Sequence, residues 1–177
     1  MNNDWTFVPT DTDIVREVPY IEDARADFAP YYSVFNKSAE VITKDLERAK
    51  QEVISEMAKM GGGVVGFQQG YFNVGDKKRH GYRILFIYGG GRGMIRVAGL
   101  PIRGSDTPRQ VNAVLAQALF NVRDWLKAAV TNKIFSPGFN VLIPFMLVDG
   151  NRTVTDYLIE TGHLPQLNAP GSYTEGK

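Results

Sequence analysis

The stretch from Gly61 to Arg103 constrains the fold of this chain most, because glycine-containing loops divide it into three β-prone runs. The runs cover residues 64–74, 81–88 and 93–102, and the loops GDKK and GGGR lie between them. Short glycine-containing loops between such runs are typical of β-hairpins. The sequence therefore predicts a three-stranded antiparallel meander.

An amphipathic helix is predicted on each side of this meander. Apolar residues recur every three or four positions from Ile42 to Met60, and Ser38 is suited to cap the start of that helix. The second helix opens with a capping box of Thr107 and Gln110, and its apolar face continues to about Phe135. We therefore expect an α+β fold with a helix, a three-stranded antiparallel meander and a long helix.

The C-terminal part adds a short apolar segment and a short helix to this order. Residues 141–148 are mostly apolar but contain Pro144, so we expect an edge strand or a buried loop rather than a central strand. Thr153, followed three residues later by Asp156, begins a last helix that runs through Glu160. These two elements complete the predicted fold.

Charge is distributed unevenly along the chain, and this suggests three regions. We expect an acidic extended arm over residues 1–37, a single α+β domain over 38–163 and a flexible tail over 164–177. The first 30 residues carry seven acidic against two basic side chains, whereas residues 61–109 carry eight basic against two acidic ones. Because the arm contains several aromatic residues, we expect it to pack on its own domain, on a neighbouring subunit or on a partner.

Signatures of membrane insertion, catalysis and metal binding do not occur in this sequence. No run of about 18 apolar residues is present, and the N-terminal residues lack the basic and apolar regions of a signal peptide. The chain has no cysteine, and His80 and His163 lack motif partners. Asp149, Asp156 and Glu160 fit a solvated helix face better than a cation site. We therefore predict a cytoplasmic, non-enzymatic protein with neither metal nor cofactor.

The basic sheet is the strongest candidate for a binding site. Cationic side chains neutralise phosphates, and aromatic rings stack on unpaired bases with about 1–3 kcal/mol each. Both kinds of residue alternate along the meander, and three of the basic residues fall at the predicted tip of the first hairpin. The predicted phosphate contacts are Lys77, Lys78, Arg79, Arg83, Arg92 and Arg96, and the predicted stacking residues are Tyr82 and Tyr88.

Two resemblances connect the chain with mobile genetic elements. Residues 148–158, VDGNRTVTDYL, resemble the end of a small uncharacterised family found in phages and other mobile elements, and the similarity covers about residues 39–158. The order of elements over about residues 64–130 is similar to the β-β-β-α core of phage single-strand annealing proteins. The second resemblance implies a homo-oligomer that binds or anneals single-stranded DNA in phage-type recombination or replication.

Two other functions remain open at this point. A protein-interaction module, such as an inhibitor of a host defence system, would use the mixed sheet face and the acidic arm as a protein interface. A pocket for a small anionic ligand such as a nucleotide would show itself as thermal stabilisation by that ligand alone. Phosphate contacts predict a steep loss of affinity with salt, which separates nucleic-acid binding from an apolar protein interface.

Overall fold

The computed structural model describes residues 18–25, 29–74, 76–136 and 140–163. Its helices and strands are α1 (Ala39–Lys59), β1 (Gly62–Val74), β2 (Lys77–Tyr88), β3 (Gly91–Ala98), α2 (Pro108–Phe135) and α3 (Val154–Glu160). This order confirms the predicted α+β fold with its antiparallel meander between two long helices. The predicted flexible tail and the first 17 residues of the predicted arm lie outside the described residues.

The two long helices begin at the residues that the sequence predicts. The Ser38 hydroxyl accepts a hydrogen bond from the Val41 amide at 3.4 Å, and Thr107 and Gln110 form the predicted capping box of α2. At its other end α1 is followed by Gly61, whose φ of 86° lies in the left-handed region that favours glycine. Local side-chain chemistry therefore determines where these helices start and stop.

Two strand boundaries differ from the prediction by four residues, and the starts of β1 and β3 differ by two. β2 begins at Lys77 rather than at residue 81, so the basic residues at its start pair with β1. The predicted four-residue turn is therefore too long, because the ladder continues to the pair of Val74 and Lys77, and the basic residues lie at the hairpin end as the first residues of β2. β3 ends at Ala98, where the chain turns to pass close against α2: a Cβ at Gly99 would lie 2.2 Å from the backbone oxygen of Val114.

The main core lies between one face of the sheet and a layer formed by α1 and α2. Tyr82, Ile84 and Phe86 of β2 belong to this core and are no more than 2% exposed. The middle of α2 is buried on every side, since the eight residues from Ala113 to Phe120 are each no more than 3% exposed. Helix α2 contacts α1, β2, β3 and the 3-10 helix at Tyr32–Asn36, and it is therefore the centre of the fold.

The described part of the N-terminal arm packs on the domain. It forms 3-10 helices at Ile21–Asp23 and Tyr32–Asn36, and Val34 belongs to the main core. The Ile21 amide donates to the Pro101 carbonyl at 2.9 Å, which attaches the arm beyond the end of β3. The sequence predicts that the arm packs on its own domain, on a neighbouring subunit or on a partner. The described residues of the arm pack on their own domain.

The C-terminal segment lies along the edge of β3. Within the apolar run at 141–148, Ile143–Phe145 form a single 3-10 turn, and Met146 then makes an isolated antiparallel bridge with Gly93. This is a loop with one bridge to the sheet, intermediate between the predicted edge strand and buried loop. Helix α3 follows and begins at the predicted capping residue, Thr153.

Two glycines that face each other across β1 and β2 allow a matched test of the sheet packing. A Cβ at Gly81 would lie 2.0 Å from the Val97 carbonyl oxygen, whereas a Cβ at Gly70 would have no atom within 4 Å. We predict that Gly81→Ala lowers the free energy of unfolding by about 1–3 kcal/mol. Gly70→Ala should change it by less than about 0.5 kcal/mol. Urea denaturation followed by circular dichroism measures both, and equal effects would contradict the close approach at Gly81.

Candidate nucleic-acid interface

The sheet has one face toward the helices and one open face, and the strand register decides which arginines share the open face. Arg83 is directly opposite Arg96 across β2 and β3, and Ile87 is directly opposite Arg92. Directly opposite residues point to the same side of a sheet, and residues two positions apart along a strand do so as well. Arg83, Arg92 and Arg96 therefore lie together on the open face.

Lys77, the first predicted phosphate contact, interacts with the N-terminal arm. Its Nζ donates to the Val18 carbonyl at 3.0 Å and lies 5.0 Å from the centroid of the Tyr20 ring. Arg103 lies over the same ring at 5.0 Å, and its guanidinium pairs with Asp23. The arm therefore engages two of the basic residues that follow the acidic region in sequence.

Lys78 is paired with an acidic residue in the loop before α2. Its Nζ lies 2.7 Å from Asp106 Oδ2, and His80 Nε2 is at the same distance from that oxygen. Hydrogen bonds from Lys78 and His80 lower the pKa of Asp106, so this residue is a carboxylate at neutral pH. A phosphate would have to replace this carboxylate in order to contact Lys78.

Arg79 is half-buried, and two carbonyl groups at the end of β3 satisfy its guanidinium. Its Nε donates to the Gly99 oxygen at 2.9 Å, and a second nitrogen donates to the Ala98 oxygen at 3.3 Å. Burial lowers its pKa from the ordinary value of arginine, and the described residues supply it with no acidic partner. These contacts give Arg79 a structural role in joining β2 to the turn after β3.

Arg96 attaches α3 to the open face. It donates to Asp156 Oδ1 and to the Asn151 carbonyl, both at 3.0 Å. Partial burial acts to raise the pKa of Asp156, but hydrogen bonds from Arg96 and from Thr153 outweigh it, so the pKa lies below its ordinary value. Four of the six predicted phosphate contacts thus already have partners within this chain.

Arg83 and Arg92 differ from these four residues. Both side chains are exposed, and within the described ranges neither guanidinium has a hydrogen-bond or ion-pair partner. Arg92 lines an apolar cavity of about 330 Å³ together with Leu85, Ile87 and Leu147. A cation beside an apolar wall is suited to a ligand that carries both an anionic group and a flat apolar part.

Arg83 lines a second and more polar cavity on the same face. This cavity has a volume of about 470 Å³ and is also lined by Gln68 and Phe72 of β1. Phe72 lies opposite Arg79 in the ladder between β1 and β2, which places its ring on the open side of the sheet. The sequence does not identify Gln68 and Phe72 as neighbours of Arg83. Their proximity depends on the register between β1 and β2, and the alternation of side chains along each strand leaves this register undetermined.

The two predicted stacking residues lie on the other face. Tyr82 is 2% exposed and packs edge-to-face on Phe67, with ring centroids 5.9 Å apart, so it has no ring face for a nucleobase. Tyr88 is half-buried against the same core. The assignment of Tyr82 to stacking is wrong in this structure, since its position in β2 turns it toward the helices. Phe72 replaces it as the aromatic residue next to an unpaired arginine.

The C-terminal acids are also bound to arginines. Arg152 lies 2.8 Å from Glu160 and pairs with Asp149, and this hydrogen bond lowers the pKa of Asp149 to about 2. In the part of the chain that the structure describes, no group of three His, Asp or Glu side chains is placed to hold a metal ion. The acids therefore stabilise the C-terminal segment through ion pairs.

Comparison of the chain with protein-family models, with curated proteins and with solved structures found no match. The resemblances to phage proteins therefore stay predictions. Across the described residues, no helix is long and apolar enough to cross a membrane.

The buried hydroxyl of Tyr82 gives a testable consequence. It has no hydrogen-bond partner among the described residues, and an unsatisfied buried polar group costs about 1–3 kcal/mol. We predict that Tyr82→Phe raises the free energy of unfolding by about 1 kcal/mol at pH 7. Chemical denaturation measures this change, and a loss of more than about 1 kcal/mol would show that the hydroxyl has a stabilising partner.

Tyr82 should also make the free energy of unfolding depend on pH in the alkaline range. Burial raises the pKa of Tyr82 to about 12, while an unfolded tyrosine loses its proton near about pH 10. Ionisation above pH 10 therefore favours the unfolded chain, and the wild type loses stability as the pH rises toward 12. Because Tyr82→Phe lacks this ionisation, its advantage over the wild type should widen across this range. A constant difference would contradict the raised pKa.

Proposed function

We propose that this protein binds nucleic acid, with single-stranded DNA as the favoured ligand, on the open face of the β-sheet. The observation that supports this most is that Arg83 and Arg92 share this face, are exposed and have no partner within the described residues. Both line cavities that also contain apolar or aromatic side chains. No catalytic role is included in this proposal.

The spacing of the two arginines suits an extended strand of nucleic acid. Arg92 is opposite Ile87, four residues along β2 from Arg83, so the two positions are about 13 Å apart along the strand direction. Arginine contacts phosphate with a planar pair of donors, and an aromatic ring such as Phe72 stacks on an unpaired base. A single strand presents phosphates and unpaired bases together, and this favours it over duplex DNA.

Glycines make the β1 side of this face accessible. Gly63, Gly66 and Gly70 lie opposite Ile87, Leu85 and Gly81 of β2, respectively, and are therefore on the open face. A Cβ at any of these glycines would have no atom within 4 Å, so the space above them is empty. The backbone of a nucleic acid is thus able to approach the sheet closely along this strand.

The biological setting is proposed from the resemblances. A protein of phages or mobile elements that binds or anneals single-stranded DNA would act in recombination or replication in the cytoplasm of the host cell, as a homo-oligomer.

The alternative function is that of a protein-interaction module, such as an inhibitor of a host defence system. Exposed apolar residues on the same sheet, Val65 at 64% and Ile87 at 47%, favour this second function.

Fluorescence anisotropy with a labelled DNA single strand at about 50 and 200 mM salt tests the leading function. Each phosphate contact contributes a slope of about −0.7 to the logarithmic salt dependence for single strands. We predict that Arg83→Gln and Arg92→Gln each weaken binding and reduce the slope by about 0.7, and that the double variant reduces it by about 1.4.

Lys127→Gln is the matched control for these variants. Lys127 is exposed on α2, away from the sheet, and no other described residue pairs with its amine. This variant removes one positive charge and should leave the slope unchanged. Wild-type protein that fails to bind at 50 mM salt would contradict nucleic-acid binding. An equal effect of all three single substitutions would show a general charge effect instead of an interface.

A substitution of Asp106 should strengthen DNA binding, whereas the arginine substitutions should weaken it. Asp106→Asn removes the carboxylate that holds Lys78 and His80, so Lys78 becomes available to phosphate. We predict tighter binding to single-stranded DNA and a salt slope that is steeper by about 0.7. Glu40→Gln, which frees Lys44 on the exposed face of α1, makes the same change of charge and should have no such effect. Unchanged binding by Asp106→Asn would place Lys78 outside the interface.

A further inference from the structure

Strand β1 is an unusually long and uncharged edge strand. Its 13 residues, GGVVGFQQGYFNV, include neither a charged residue nor a proline. The sheet order is β1-β2-β3, so one side of β1 pairs with β2, and no hydrogen bond joins its other side to any residue in the described ranges. Unpaired amide and carbonyl groups along such an edge are a template for another strand.

Most of the features that usually protect an edge strand are lacking in β1, as far as the described residues show. Native edges are blunted by lysine, proline, shortness, β-bulges or a covering segment. The opposite edge of this sheet shows such covering, because Met146 bridges Gly93 of β3. β1 instead has one irregularity, between Val64 and Gly66, and none of its residues is buried.

Apolar side chains on β1 are also uncovered. Val65 is 64% exposed, Tyr71 is 59% exposed and Val74 is 48% exposed. β-branched and aromatic residues stabilise a sheet through cross-strand pairs, each worth about 0.2–1 kcal/mol. β1 thus carries the side chains of an interior strand at the position of an edge strand.

We propose that β1 pairs antiparallel with β1 of a second copy of this chain and forms a two-fold symmetric dimer. An uncharged strand is complementary to itself, since antiparallel self-pairing places no like charges opposite each other. The same patch serves both partners, as a closed two-fold interface requires. A partner strand of a charged protein would gain no ion pair from this edge, and this favours a second copy as the occupant.

The geometry of the pairing joins the two open faces. The two-fold axis that relates antiparallel neighbours in one sheet is perpendicular to that sheet, so both open faces lie on the same side. The dimer has the continuous strand order β3-β2-β1-β1-β2-β3. At about 4.8 Å between strands, the two β2 strands are about 14 Å apart. Dimer formation itself does not depend on nucleic-acid binding.

Sedimentation velocity of the full chain without DNA, at about 1–100 µM, tests the proposal. The wild type should reach a mass of twice 19.7 kDa. Gln68→Lys combined with Gln69→Lys adds positive charges to exposed positions near the middle of β1 and should weaken the dimer at least ten-fold. Gln51→Lys, at an exposed position of α1, is the matched control and should dimerise like the wild type. A wild-type monomer at 100 µM, or an unaffected double variant, would overturn the proposal.

Single cysteines test the antiparallel register, because the natural chain contains none. Val65→Cys, Gln68→Cys and Tyr71→Cys are compared under mild oxidation with diamide. A disulfide needs Cα atoms about 4.4–6.8 Å apart, so the position nearest the two-fold axis should cross-link best and the others less. Gln51→Cys should not cross-link above background. Equal cross-linking at all four positions would indicate random collision and would overturn the paired strands.

These measurements separate failure of the dimer from failure of DNA binding. A chain that binds single-stranded DNA as a monomer would retain the proposed DNA binding and lose the dimer. A dimer without affinity for DNA would retain this inference and lose the proposed function. Circular dichroism of each variant confirms that substitution at the exposed glutamines has left the fold intact.

Discussion

The complete burial of the middle of α2 is the constraint on which the rest of this structure depends. One buried polar side chain in it, Gln117, links three parts of the chain. Its amide nitrogen donates to the Pro30 carbonyl at 3.1 Å, and its oxygen accepts from the Leu100 amide at 3.0 Å. Alanines at 113, 116 and 118 leave room for the sheet, α1 and the arm to approach the helix. The part of the arm that the structure describes is thus an integral part of the core packing.

Many basic residues of the sheet are already paired within the chain, so the excess of positive charge in the sequence is larger than the positive charge that is free to bind a ligand. Residues 61–109 carry an excess of basic residues, yet Asp106, Asp156 and the arm engage many of them. These partners come from distant parts of the sequence, with separations of 28 and 60 residues for the two acids. Exposed ion pairs of this kind contribute little stability, about 0–1 kcal/mol each, so they are exchangeable for stronger ligands.

Short sequence signals such as helix caps made much of the fold predictable. The residues that form the candidate site were harder to predict, because their positions depend on the register between strands. The Thr107 capping box and Gly61 act over a few residues, so the helix boundaries follow from the sequence. The strand register determines which basic residues share a surface, as the pairing of Arg83 with Arg96 shows. The alternation of apolar and polar residues along the sequence does not specify that register. Tyr82 illustrates the same limit, because aromatic character alone does not distinguish a core ring from a stacking ring.

The range of sequence separations has a consequence for the order of folding. The meander is built from hairpins between neighbouring strands, whereas the arm reaches Arg103 from Glu22 across 81 residues and Asp124 from Tyr31 across 93. Contacts that close long loops have a larger entropic cost and form later than local ones. We therefore expect the sheet and its helices to assemble first and the arm to dock last. In native-state hydrogen exchange, the arm should open at a lower free energy than α2.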